Sequence, residues 1–123
     1  MLNVNTKTLG TIAVLSLQGE IVNGQTELLR NAMHSLSGVS AVKLDLARVT
    51  TVDAGGLGVM LALREQAESR GIPFELMNVN QRVFMVLRLT RLDTVFRITN
   101  GVEYFRTMSR SRTASVSQLR SCA

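Results

Sequence analysis

The sequence predicts an α/β domain: a small mixed sheet that opens with a hairpin and has helices packed against it. Three observations lead there. Short runs of β-branched and aliphatic residues alternate with segments of helical periodicity, Gly, Asn or Pro punctuates the junctions, and the alternation persists from residue 11 to residue 98. Strands separated by helices in this way pair in parallel through crossover connections. With 123 residues the chain is one domain at most.

The elements follow in order. Residues 3–10, NVNTKTLG, form a short first strand turning at Gly10, and TIAVLSL, residues 11–17, is the second strand. Beyond Asn23-Gly24, the positions Leu28, Leu29, Ala32, Met33 and Leu36 recur at helical spacing, with Asn23 as N-cap and Gly38 as stop. AVKLDLARV, residues 41–49, alternates Val42, Leu44 and Leu46 with Lys43, Asp45 and Ala47, so it is a strand with one face more polar than the other. A second helix covers 57–70 and stops at Gly71, with Pro73 beyond it. PFELMNV is a strand, residues 81–92 a third helix buried through Val83, Val86 and Leu87, and VFRI at 95–98 a last short strand. Phe84 and Met85 fall beside that stripe, where they pack in the core or extend a docking surface. Asn100 and Glu103 have capping-box spacing and open a final helix through Met108. The remaining residues, 109–123, are Ser/Arg-rich with little aliphatic content, which reads as a disordered tail.

Composition narrows the function classes. Apolar residues are 46% and charged residues 19%, a globular balance. The net charge is +5, but Arg106, Arg110, Arg112 and Arg120 supply four of those charges; residues 1–105 hold ten bases against nine acids. The basicity therefore belongs mostly to the tail, which argues against a nucleic-acid-binding face. One cysteine, Cys122, makes no disulfide framework, and no targeting or membrane-spanning run is visible, so a soluble cytoplasmic protein without membrane insertion is expected. A single histidine, His34, on the polar side of the first helix, gives no metal cluster. Asp45 and Asp53 have no His or Cys near them in sequence. Neither an enzyme nor a cofactor is expected.

The stretch VTTVDAGGLGVM, residues 49–60, concentrates the unusual chemistry. Glycines ahead of a helix can cradle phosphate, but no lysine follows as a P-loop requires. The dinucleotide fingerprint also fails, because Leu61 stands where its third glycine belongs. A structural account suffices for the corner itself: Asp53 caps the helix and the glycines allow close approach to the strand. It does not account for LGVMLAL, residues 57–63, where apolar side chains surround the helix. Such a helix is buried on every side or docks to another molecule.

LQGEIVNGQTELLRNAM, VKLDLARVTTVDAGGLGVMLALREQAESRG and VFMVLRLTRLDTVFRI together resemble successive blocks of the STAS domain of anti-sigma-factor antagonists, over roughly Thr11 to Met108. The resemblance implies a small sheet with helices against it and a non-enzymatic module that binds a serine-kinase anti-sigma factor. In the family that kinase phosphorylates the start of the second helix and so releases the domain. Asp53, Gly56, Leu57 and Gly58 match the family pattern, but its Ser or Thr acceptor position is Gly55 here, preceded by Ala54, so there is no phosphoacceptor. A second departure is Arg91, where relatives often carry glycine, so no glycine cap ends the third helix. The expected docking residues are Asn23, Gly24, Asp53, Ala54, Gly55, Gly56, Leu57, Gly58 and Leu61. The expected partner is a kinase-type anti-sigma factor or a larger signalling assembly, bound without phosphorylation at the usual loop site, and a homo-oligomer is compatible with the same reading. The alternative is a STAS accessory subunit of a transporter or lipid-trafficking complex.

Overall fold

A computed structural model describes residues 2–99. Strand β1 (Asn3–Leu9) pairs antiparallel with β2 (Ile12–Ile21) around Gly10, whose φ of +64° suits the tight turn. Then come α1 (Glu27–His34), β3 (Ala41–Val52), α2 (Ala54–Ser69), β4 (Phe74–Met77), α3 (Gln81–Leu89), a 3₁₀ turn (Leu92–Thr94) and β5 (Arg97–Thr99). The five strands lie in sheet order β1-β2-β3-β4-β5, and every pair after the opening hairpin is parallel. Each crossover steps the same way across the sheet. Right-handed connections therefore place α1, α2 and α3 on one face.

That face holds the core. Ala13, Leu15 and Leu17 on β2, Val42, Leu44 and Leu46 on β3, and Phe74 and Leu76 on β4 alternate inward and are buried. Leu29, Met60, Leu63, Ala67, Val83 and Leu87 meet them from the helices. The opposite face is half-open and polar, carrying the Lys43–Glu75 ion pair at 3.0 Å between register partners of β3 and β4.

The expected fold class, a small mixed sheet with opening hairpin and packed helices, is the one observed. Several boundaries move for physical reasons. β3 runs to Val52 instead of stopping at 49, because register shifts between β2 and β3 place Arg48 opposite Gln18 and turn Val49 and Val52 inward. α2 therefore starts at Ala54, directly after β3. Asn23 does not cap α1: the helix starts at Glu27 behind Thr26, and Asn23-Gly24 sits inside a turn closed by the Gln25 N–H donating to the Val22 carbonyl at 3.0 Å. α1 also ends at His34, short of Leu36 and Gly38. α3 ends at Leu89 instead of 92, a 3₁₀ turn covers Leu92–Thr94, and the last strand runs Arg97–Thr99 instead of 95–98.

Two groups of apolar residues that the sequence left open between core and surface fall on different sides. Phe84 and Met85 are exposed, so core packing does not hold for them. The apolar positions around α2, in contrast, are mostly inside: Leu57, Val59, Met60 and Leu63 are buried and Leu61 half-buried. α2 contacts β3, β4 and α1, and those neighbours take up a surface that sequence alone left open between burial and docking. The final helix expected from Asn100 through Glu103 to Met108, the tail at 109–123 and Cys122 lie outside the described residues.

Arg91 adopts φ +61°, ψ +22°, the left-handed cap conformation, without being glycine. Its N–H donates to the Arg88 carbonyl at 3.0 Å, as the residue past a helix end does in a left-handed cap. A Cβ in this region costs about 1 kcal/mol or more. Arg91→Gly is therefore expected to stabilise the domain by about 1 kcal/mol, read from urea denaturation midpoints at unchanged slope.

Candidate functional site

The site is built at the carboxyl ends of β2 and β3, the edge where open α/β sheets place their ligands. The parallel register pairs Ile21 with Val52, so the chain leaves both strands side by side. From there β2 continues into the Asn23-Gly24 turn and β3 into Asp53 and α2. Gly24 takes φ +85°, a conformation that favours glycine.

Asp53 locks the two exits together. Its carboxylate accepts the Gly56 N–H at 2.8 Å, the N-terminal cap of α2. Both carboxylate oxygens also accept the Asn23 N–H, at 3.1 Å each, and the Asp53 N–H donates to the Ile21 carbonyl at 3.3 Å. The Gly56 N–H first, then that of Asn23, hold the Asp53 carboxyl below the usual carboxylate range.

Glycine at 56 is a steric necessity. A Cβ there would lie 1.8 Å from the Ile21 carbonyl oxygen, backbone that cannot step aside. At position 55 a Cβ would lie 2.6 Å from the Cβ of Asn23 and 3.1 Å from its Cγ. The volume that a side chain at 55 needs is already taken by Asn23. Gly58 differs from both, since nothing stands within 4 Å of a Cβ placed on it.

The residues expected to dock divide accordingly. Asn23, Gly24, Asp53, Ala54 and Gly58 are exposed around the corner, and Gly55 and Leu61 are half-buried beside them. Gly56 and Leu57 are buried and lie beneath that surface. Leu57 is part of the core and supports the corner from below. Sequence reasoning missed Leu28, which is 53% exposed in the first turn of α1 and shares a shallow depression with Gly24, Gln25 and Leu2. A signal was present: Leu28 and Leu29 are adjacent, and a helix this short turns only one of them inward.

The Asp45 carboxylate accepts the Ala47 N–H at 3.1 Å and the Asn78 amide at 3.2 Å, and so holds strand ends as Asp53 does. His34 is exposed on α1. Among the described residues no helix is long and apolar enough to cross a membrane.

The family model described as Mlab, STAS domain, matches residues 5–100. The chain belongs to this STAS family. Solved structures agree on the fold. A Thermotoga maritima protein described as an anti-sigma factor antagonist, TM1081, superposes with a TM-score of 0.73 at 23% identity, over 89% of this chain and 95% of that one. The Bacillus anti-sigma factor antagonist SpoIIAA, in its unphosphorylated form, gives 0.67 at 18% identity, over 87% and 96%. A sulfate transporter family protein from Wolinella succinogenes gives 0.67 at 18% identity, over 76% and 80%. At these identities the likeness establishes the STAS architecture.

Two outcomes are expected from this geometry. Gly56→Ala drives a methyl into the Ile21 carbonyl and is expected to cost about 3 kcal/mol, measured by urea denaturation. The lowered Asp53 pKa has the depressed-acid sign: its stabilisation is complete above the pKa of an unfolded aspartate and is lost as pH falls through the folded value. Asp53→Asn is therefore expected to flatten the acid limb of stability against pH, and the Asp53 carboxyl NMR titration to fall below that of a free aspartate.

Proposed function

We propose that this STAS domain is a protein-docking module of the anti-sigma-antagonist type whose binding is not switched by phosphate at the β3–α2 corner. The observation that carries the proposal is the Asn23–Gly55 contact. Position 55 has no hydroxyl, and Asn23 occupies the volume a serine or threonine side chain would need there. The first turn of α2, Ala54-Gly55-Gly56-Leu57-Gly58, offers no other acceptor. Thr50 and Thr51 lie on the strand side of Asp53, and the Thr50 hydroxyl donates to the Gly19 carbonyl at 3.2 Å. A phosphate on this corner would add a charge of about −1.5 to −2 beside Asp53 and release a docked partner. Without it, attachment is constitutive.

Docking uses the exposed rim, Asn23, Gly24, Ala54 and Gly58, with Leu28 and Leu61 as apolar flanks. Gly58 supports this assignment. An exposed glycine inside a helix costs about 1 kcal/mol relative to alanine, and no contact within the domain requires it. Close approach by another protein gives the missing side chain a purpose. The partner fitting the family resemblance is a kinase-type anti-sigma factor, bound in the cytoplasm. The second reading, an accessory subunit of a transporter or lipid-trafficking complex, is supported by the fold shared with the Wolinella sulfate transporter family protein.

Gly58→Ala is expected to raise stability by about 1 kcal/mol, and Gly58→Gln to keep the fold while weakening partner binding at least tenfold in calorimetry. Incubation with a kinase-type anti-sigma factor and ATP is expected to leave residues 50–58 unmodified by mass spectrometry. Stoichiometric phosphate in that segment would overturn the proposal. Unchanged affinity of Gly58→Gln for a partner that binds the native chain would move the docking surface elsewhere.

A further inference from the structure

The outer side of α3 and the end of β3 beside it form a second surface, separate from the β3–α2 corner. An open groove of ≈ 610 Å³ runs between residues 47–50 of β3 and the start of α3, with Arg48 on one wall and Gln81, Arg82 and Met85 on the other. Its floor is fixed: the Asn80 amide donates to the Val49 carbonyl at 2.7 Å and the Leu46 carbonyl at 3.3 Å, while the Asn80 side-chain oxygen caps the Val83 N–H at 3.0 Å. Beyond the groove α3 turns apolar side chains outward. Met85 is 53% exposed, Leu89 80% and Phe84 36%. Arg82 and Arg88 border them on the same helix.

The charge pattern is one-sided. Neither the groove lining nor α3 contains an acid, and among the described residues Arg48, Arg82 and Arg88 make no ion pair. Burying Met85 and Leu89 would remove apolar surface from water, but an occupant must also meet three guanidinium groups. A guanidinium pairs best with carboxylates, in bidentate fashion.

We propose that this surface docks an acidic amphipathic helix of a protein partner, its apolar stripe on Met85 and Leu89, which lie four positions apart on one side of α3, and its carboxylates toward Arg48, Arg82 and Arg88. Other occupants fit less well. A second copy packed through the same face would set Arg82 and Arg88 against themselves, and like charges facing each other oppose association. Of the chain's own residues, 109–123 carry Arg110, Arg112 and Arg120 and no acid, the same sign as the face, and 100–108 offer one carboxylate, Glu103, against Arg106, too few for three guanidinium groups. A bilayer is flat, whereas Arg48 and Arg82 line a concavity.

The test uses the full chain and two synthetic helical peptides of ~16 residues with leucines at the i, i+3, i+4, i+7 spacing of an apolar stripe. One carries glutamates elsewhere and the other glutamines. NMR amide shifts and calorimetry read the outcome. The glutamate peptide is expected to shift residues 48, 80–89 and 91 and to bind at least tenfold tighter than the glutamine peptide. Arg82→Glu and Met85→Asp, both at exposed positions, are each expected to weaken it at least tenfold without moving the urea midpoint. Gly58→Gln is expected to leave it unchanged, which separates this surface from the corner. Equal binding of the two peptides, shifts at residues 23–28 and 53–61 instead, or no binding overturns the proposal. So do contacts from residues 100–123 onto Met85 and Leu89 in the free chain, or binding to anionic vesicles that exceeds binding to the peptide.

Discussion

The approach of the first turn of α2 to the end of β2 is the constraint on which the rest of the structure depends. The Ile21 carbonyl accepts the Asp53 N–H and lies where any side chain at 56 would stand. Only a residue without Cβ lets the helix start so close to the sheet. That closeness lets one carboxylate serve two elements, capping α2 through Gly56 and tying the Asn23 turn through its backbone N–H. α2 then lies low over β3 and β4, and Leu57, Met60 and Leu63 reach the core.

The same closeness determines what the corner can do. With the Asn23 turn drawn against α2, the space above position 55 belongs to Asn23, and glycine there is the complement of that arrangement. The missing side chain at 55 is thus matched by the packing of the Asn23 turn against the first turn of α2. Gly58, one turn farther on, is free of internal contacts. Two glycines three positions apart therefore differ in kind: Gly55 makes room for the domain itself, and Gly58 leaves room outside it.

The helices show where periodicity is informative and where it misleads. α2 is apolar on all sides and most of that surface is inside, because it is flanked by α1 and rests on two strands. α3 has a clear buried stripe of Val83 and Leu87 yet leaves Phe84, Met85 and Leu89 outside. Its main contacts are with β3 and the 3₁₀ turn. Apolar content was equally visible in both segments. The number of neighbours each helix meets was not.

The alternation of strands and helices, the opening hairpin, the inward set Val42, Leu44 and Leu46, and the capping role of Asp53 are all legible along the chain. Those depend on period, turn chemistry and local hydrogen bonding, all of which are short-range. That Asn23 faces Asp53 instead of capping α1, that Leu57 supports the corner from beneath, and that Arg91 keeps a left-handed cap without glycine emerge only in the folded chain. The first two turn on residues distant in sequence: Asn23 and Asp53 are 30 positions apart and meet through the β2–β3 register. Local pattern carries no record of such a meeting, because it is set by how the strands align and how many elements crowd a given face.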